Sequence, residues 1–190
     1  MRNPFLRDVQ KRHPRFFRAV AADARVSLKY RAEKYEVSKI ALLLQIVRLS
    51  WVSDAFLAQV FYRAKARLHY FRIPIIPTIL HRLAMMHSQV CIGKPVVVEP
   101  GIYIAHGQVV IDGFTKIGSG VVISPWVTIG LKAGNFQGPT IGLDVHIGTG
   151  AKIIGPILIG DGVVIGANAV VVKNVANHQT VVGVPAEILK

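Results

Sequence analysis

Histidine is the side chain that takes up and returns a proton near neutral pH, and this sequence has seven. His13, His69, His81 and His87 stand in a basic first half and read as surface or packing residues. His146 ends a repeat unit, and His178 lies in the turn Asn177-His178-Gln179-Thr180. His106 stands apart. It occurs in Tyr103-Ile104-Ala105-His106-Gly107-Gln108, directly before a one-residue slip in an otherwise regular repeat. An inserted residue in a strand array re-aims a side chain. The chemistry that suits such a histidine is general-base work, drawing the proton from a group as it attacks. The plainer alternative is a solvent-exposed histidine on a strand face.

The elements that must position His106 begin with a six-residue period. Ile92, Val98 and Ile104 start it. It resumes one residue late at Ile111 and runs through Ile117, Ile123 and Ile129. After an irregular stretch it continues through Ile141, Ile147, Ile153, Ile159, Ile165 and Val171. Glycine often follows the aliphatic residue, as at Gly93, Gly118, Gly130, Gly142, Gly148, Gly160 and Gly166, which suits a turn. Each unit is a short strand and a turn, and three units make a triangular coil of about 18 residues. Residues 92–175 therefore make between four and five coils. A β-sandwich would alternate with period two and vary its loops, so it does not fit. The separations of His106, His146 and His178 are not multiples of the coil, so no three-histidine metal centre is expected. The stretch Leu131 to Thr140 loses the aliphatic anchor and is expected to protrude as a loop.

Before residue 90 the apolar spacing is helical. Phe16, Phe17, Val20 and Ala21 suit one helix; Leu42, Leu43, Ile46, Val47 and Leu49 a second; Phe56, Leu57, Val60, Phe61, Ala64 and Leu68 a third. Pro74 and Pro77 interrupt the pattern, and Ile79 to Met86 form a last short helix. Of the +13 formal charge, residues 1–90 hold +12, from 17 Lys/Arg against 5 Asp/Glu. The chain is 52% hydrophobic, which excludes a disordered polycation. Its single cysteine, Cys91, excludes a disulfide framework and a cysteine-based zinc module. No apolar run approaches the roughly 20 residues of a membrane span, and the first residues lack an apolar signal core. The expected compartment is the cytoplasm, including its membrane face. Arg63, Lys65, Arg67 and Arg72 beside Phe61, Tyr62, Tyr70 and Phe71 suggest contact with anionic headgroups. A helical cap or an oligomerisation surface explains the charge equally well. No nucleic-acid motif appears.

The repeat and the closing Gly183-Val184-Pro185-Ala186 resemble the left-handed β-helix of the hexapeptide-repeat acyltransferases, closest to the serine acetyltransferase branch. The resemblance covers roughly residues 88–190 well and the helices in general layout. It implies an α+β chain: an α-helical domain over 1–90, then a left-handed parallel β-helix over 91–190. It further implies acetyl-CoA-dependent O-acetyl transfer to a small-molecule hydroxyl, with His106 as general base and no metal. Acetyl-CoA would lie between neighbouring β-helices, against Gly130, Gly148, Thr149, Gly166 and Ala167, with the amides of Thr149 and Ala167 on the pantetheine arm. Lys152, Lys173 and Lys190 are available to its phosphates. Ala105, Gln137 and Gly138 would face the acceptor, and the assembly would be a homotrimer or a dimer of trimers.

Three positions depart from the branch. Ala105 stands where it has Asp, Gln137-Gly138-Pro139 where it has Arg-His-Pro, and Cys91 where it has the Asp that orients the catalytic histidine. Glu99 or a backbone carbonyl is left to orient His106. A site for free serine must pair both an ammonium and a carboxylate. The departures therefore favour a neutral acceptor, a saccharide or related metabolite. The alternatives are the serine O-acetyltransferase of cysteine biosynthesis and a non-catalytic β-helix scaffold.

Overall fold

The structure, a computed structural model, describes residues 9–35 and 38–189. Among the described residues, a helical stretch over 9–12 is followed by four helices with described bounds: α1 (Phe16–Tyr30), α2 (Lys39–Val52), α3 (Phe56–Tyr70) and α4 (Ile76–Ser88). Pro77 does not interrupt a helix. It sits in the first turn of α4, where its missing N–H costs nothing. Gln89, in left-handed conformation (φ 54°), ends α4, and the first strand starts one residue later.

The six-residue period becomes a parallel β-solenoid with three sheets. One holds β1 (Val90–Ile92), β4 (Val109–Ile111), β7 (Thr128–Gly130), β10 (Lys152–Ile154) and β13 (Val170–Val171). The second holds β2 (Val97–Val98), β5 (Phe114–Ile117), β8 (Gln137–Ile141) and β11 (Leu158–Ile159). The third holds β3 (Tyr103–Ile104), β6 (Val122–Ile123), β9 (His146–Ile147), β12 (Val164–Ile165), β14 (Thr180–Val182) and β15 (Glu187–Ile188), with β15 antiparallel as a closing strand. Every aliphatic anchor of the period points inward and is at most 3% exposed. Each buried Ile or Val contributes about 1.5–3 kcal/mol of apolar transfer.

The irregular stretch is shorter than the spacing suggests. Residues 131–136 form the loop, and Gln137 already opens β8, bonded in register to Phe114. Across it the pairing offset rises from 18 residues (Ile111 with Ile129) to 24 (Ile129 with Ile153), so the six looped residues, with the position of the lost anchor among them, stand outside the coil count.

The two other corrections concern which way helix faces turn. In α2 only Leu49 is fully buried, while Leu43 and Val47 are exposed with Ile40, Leu44 and Trp51. In α3 the buried side is Phe56, Ala58, Gln59, Tyr62, Arg63, Lys65 and Ala66. Arg63 and Lys65, read from the sequence as headgroup contacts, are therefore in the interior. The reason lies in the first coil. Among the described residues no further strand pairs with its outer edge, and its backbone groups need other partners. Tyr62 Oη donates to the Val96 carbonyl (2.9 Å), and Lys65 Nζ donates to that of Ile92. Arg63 donates to the carbonyls of Val98 and Glu99. Asp23, on α1, accepts from the amides of Gly101 (2.8 Å) and Ile102 (3.1 Å). Arg63 and Asp23 then close on each other through two bonds of 2.9 and 3.1 Å, both side chains almost wholly buried. Burial draws Lys65 down to about 8.

Removing one member of such a pair leaves a buried charge alone, at about 3–5 kcal/mol. Arg63→Met is expected to lose that much in urea unfolding, with Arg63→Met/Asp23→Leu recovering a measurable part. His13 supplies a pH prediction. It is buried beside Tyr62, and burial first, then Arg63, hold it down to about 4. The unfolded chain binds this proton near 6.5 and the folded chain only near 4, so unfolding takes up a proton between. The stability from neutral His13 is full above about 6.5 and is lost as pH falls towards 4. His13→Phe should flatten that limb of the unfolding curve.

Candidate active site

The corner between β3 and β4 carries His106, and the first coil is one residue longer there than the regular repeat. Val90 pairs with Val109, whereas Val110 pairs with Thr128. The extra residue is absorbed by a tight turn. Gly107 N–H returns to the Ala105 carbonyl (2.8 Å), and both His106 (φ 62°) and Gln108 (φ 50°) are left-handed. The turn presses on the C-terminus of α4. Gln108 N–H donates to the Ser88 carbonyl (2.9 Å), and a Cβ on Gly107 would lie 2.2 Å from that same oxygen. Only glycine fits there, since its φ of 107° also excludes other residues. The result turns His106 out to solvent.

Neither Glu99 nor a backbone carbonyl orients it. Asp54, in the break between α2 and α3, puts Oδ2 3.4 Å from His106 Nδ1, and both side chains are exposed, at 70% and 74%. A carboxylate only accepts, so the neutral ring carries its proton on Nδ1 and keeps a lone pair on Nε2. That tautomer is the one a base needs. Ser88 Oγ bonds to the Asp54 carbonyl, tying the break to the same corner. Sequence reasoning missed Asp54, although it is the single acidic residue between Glu36 and Glu99.

Below His106 the same edge of the prism passes through Pro125-Trp126, Gly148-Thr149-Gly150 and Gly166-Ala167-Asn168. Backbone bonds link these corners in turn: Trp126 N–H to Gln108 O, Gly150 N–H to Pro125 O, and Asn168 N–H to Thr149 O. A Cβ on Gly148 would meet the Ala167 nitrogen at 2.7 Å, so successive corners stack closely. Among the described residues, the amides of Thr149 and Ala167 donate to no acceptor within the chain. Four of the five positions expected along the acyl donor thus share the edge of His106. Gly130 does not. It ends β7 on the edge that leads to the 131–136 loop.

Gln137 and Gly138 lie beyond that loop, also away from His106. Gly138 is buried against Thr115, whose hydroxyl donates to the Asp112 carbonyl, so packing accounts for it. Cys91, facing out on β1, shares a groove of about 350 Å³ with Met85, Gln108, Trp126, Thr128 and Lys152. Burial raises its thiol pKa, so it stays protonated at neutral pH. Lys152 Nζ is held by the Trp126 carbonyl (2.6 Å), and Lys190 lies outside the described residues. His146 packs edge-on to Tyr30, and His178 sits beside Gly162, so neither approaches His106 as a partner ligand.

No family model matches the chain. Curated relatives do. A serine acetyltransferase of Helicobacter pylori (strain J99) is 39% identical over 132 residues, 67% of this chain and 77% of the relative. One from Synechococcus elongatus is 37% identical over 137 residues, 70% of this chain, but only 56% of its own length is spanned. Among solved structures, Neisseria gonorrhoeae serine acetyltransferase in complex with serine superposes with TM-score 0.78 at 26% identity, over 95% of this chain and 71% of that one. A serine acetyltransferase complex with CoA gives 0.76 at 27% identity, over 96% and 73%.

The corner geometry makes its own prediction. Gly107→Ala should cost about 2–3 kcal/mol from the φ penalty and the Ser88 overlap. In a thermal melt that is a fall of roughly 5–10 °C; an unchanged midpoint would mean that the corner is not pinned by α4.

Proposed function

This chain belongs to the serine acetyltransferase family, and from that premise we propose that it is an acetyl-CoA-dependent O-acetyltransferase with His106 as general base. The observation that carries the reading is the arrangement of one edge: a histidine with Nε2 open, held at Nδ1 by Asp54, above two undirected amides at Thr149 and Ala167. His106 Nε2 takes the proton of the acceptor hydroxyl as its oxygen attacks the thioester carbonyl. The imidazolium that forms faces the Asp54 carboxylate, which favours it. The proton then passes to the departing CoA thiolate. The Thr149 and Ala167 amides suit the amide carbonyls of a pantetheine arm, with Gly148 and Gly166 leaving room for it to approach.

Serine is the acceptor that the comparisons favour, since the relatives are serine acetyltransferases and one related structure holds serine. Asp54 is placed to attract an ammonium as well as to orient the ring. A specific observation supports a second reading. Ala105 and the Gln137-Gly138 pair offer no charge for an acceptor carboxylate, which suits a neutral saccharide hydroxyl better. Gln137 and Gly138 lie on another edge of the prism from His106. Gln137 would reach the His106 edge only from a neighbouring copy, as in the homotrimer, alone or paired, that the family resemblance implies. The cytoplasm supplies both acetyl-CoA and free serine.

Thiol release from acetyl-CoA tests the reading. His106→Ala should lower kcat about 10²- to 10⁴-fold while CoA still binds; activity that survives it would take the base role from His106, and a parent chain that neither binds CoA nor releases thiol would return the β-helix to a scaffold. Asp54→Asn should raise KM for serine and lower kcat. Turnover with neutral sugars but not serine would select the second reading.

A further inference from the structure

The acyl-transfer site uses one end of the α3–α4 hairpin, and the other end is left unexplained. α3 starts beside Asp54 and α4 ends at Ser88, both at the His106 corner. A helix of 13 residues spans about 20 Å, so the hairpin tip, residues 71–75, stands that far from the catalytic edge. There Ile76 N–H bonds to the Pro74 carbonyl (2.7 Å), and Ile75 between them has φ 64° and ψ −60°. This is the rare, strained hand of the three-residue γ-turn, most costly for a β-branched side chain. The strained residue points mostly into solvent: Ile75 is 72% exposed. Phe71, Ile73 and Ile79 are exposed around it. Strain kept in an apolar side chain aimed at solvent points to a use for that side chain.

Beside this apolar tip is a hollow of about 280 Å³ lined, among the described residues, by Gln10, Lys11, Tyr70 and Arg72, none of them acidic. Arg67 lies over the rings of Tyr70 and Phe71, at 4.6 and 4.7 Å. No Asp or Glu occurs between Asp54 and Glu99. An occupant must therefore offer negative charge and an apolar interior together. A second copy would bring the same cations and be repelled. A nucleic acid would leave the aliphatic tip in water.

We propose that the α3–α4 tip docks on an anionic lipid bilayer, with Phe71, Ile73, Ile75 and Ile79 entering the acyl boundary and Lys11 and Arg72 taking a headgroup phosphate in the hollow. The docked orientation leaves the His106 edge on the side away from the lipid.

Flotation of the whole chain with vesicles tests this without substrates, so it stands apart from the acetyl-transfer reading. The protein should float with phosphatidylcholine–phosphatidylglycerol vesicles, less so as salt is raised, and stay behind with phosphatidylcholine alone. Lys11→Gln and Arg72→Gln should each lower the partition coefficient about fivefold. Phe71→Ser/Ile75→Asn should lower it at least about tenfold. Asn lacks the β-branch that makes a positive φ most costly at Ile75, so this variant should melt no lower than the parent and keep its circular dichroism. Binding that ignores lipid charge, or that survives both sets of substitutions, overturns the proposal. So does saturation by inorganic phosphate or duplex DNA with no vesicle binding. A change of assembly mass in light scattering, again without vesicle binding, would give the face to a second copy instead.

Discussion

Everything in this molecule leans on the unpaired edge of the first coil. A solenoid satisfies its backbone by stacking, so each coil bonds the next, and the first coil has no predecessor. Burying its carbonyls and amides without partners would cost a desolvation penalty at each group. The helices provide those partners from Tyr62, Arg63, Lys65 and Asp23. The Arg63–Asp23 pair joins α1 and α3 to one another and to β2 in one buried network. Such a pair adds little net stability over an apolar contact, but it tolerates only one arrangement.

That single arrangement delivers the geometry of the candidate site. Once α3 is locked to the first coil, the residue just before it, Asp54, has its place relative to the β3–β4 corner. Once α4 lies along α3, its last carbonyl meets the turn made by the extra residue. His106 is thus aimed by two constraints of different origin: an insertion within the solenoid, and a helix end pressing on the corner. The stacked corners below it continue the same edge, so the candidate base and the candidate donor-binding amides are aligned by the repeat itself.

The helical half divides its charge between two tasks. Arg63 and Lys65 turn inward, where carbonyl oxygens accept from them. Arg67 and Arg72 remain outside with Tyr70, Phe71 and the strained Ile75. A single stretch of basic and aromatic residues therefore serves packing at one end of α3 and a surface at the other, and helical spacing alone does not separate the two.

The sequence by itself determined the solenoid. Ile92 through Val171 keep one period because each must point into the same narrow prism, and the register slip at His106 is visible as a count. It also determined where the helices lie, since the apolar spacing breaks near Pro74 and at residue 90. Only the tertiary structure decided which helix face is buried, because an open strand edge calls for polar donors that an apolar pattern does not register. It alone put Asp54 beside His106, 52 residues apart in the chain, because that contact depends on where a buried ion pair anchors a helix. It also sent Gly130, Gln137 and Gly138 to another edge. The six-residue count assigns an edge only while every residue stays in the coil; residues 131–136 leave it, so Gly130, 18 residues before Gly148, falls on a different edge.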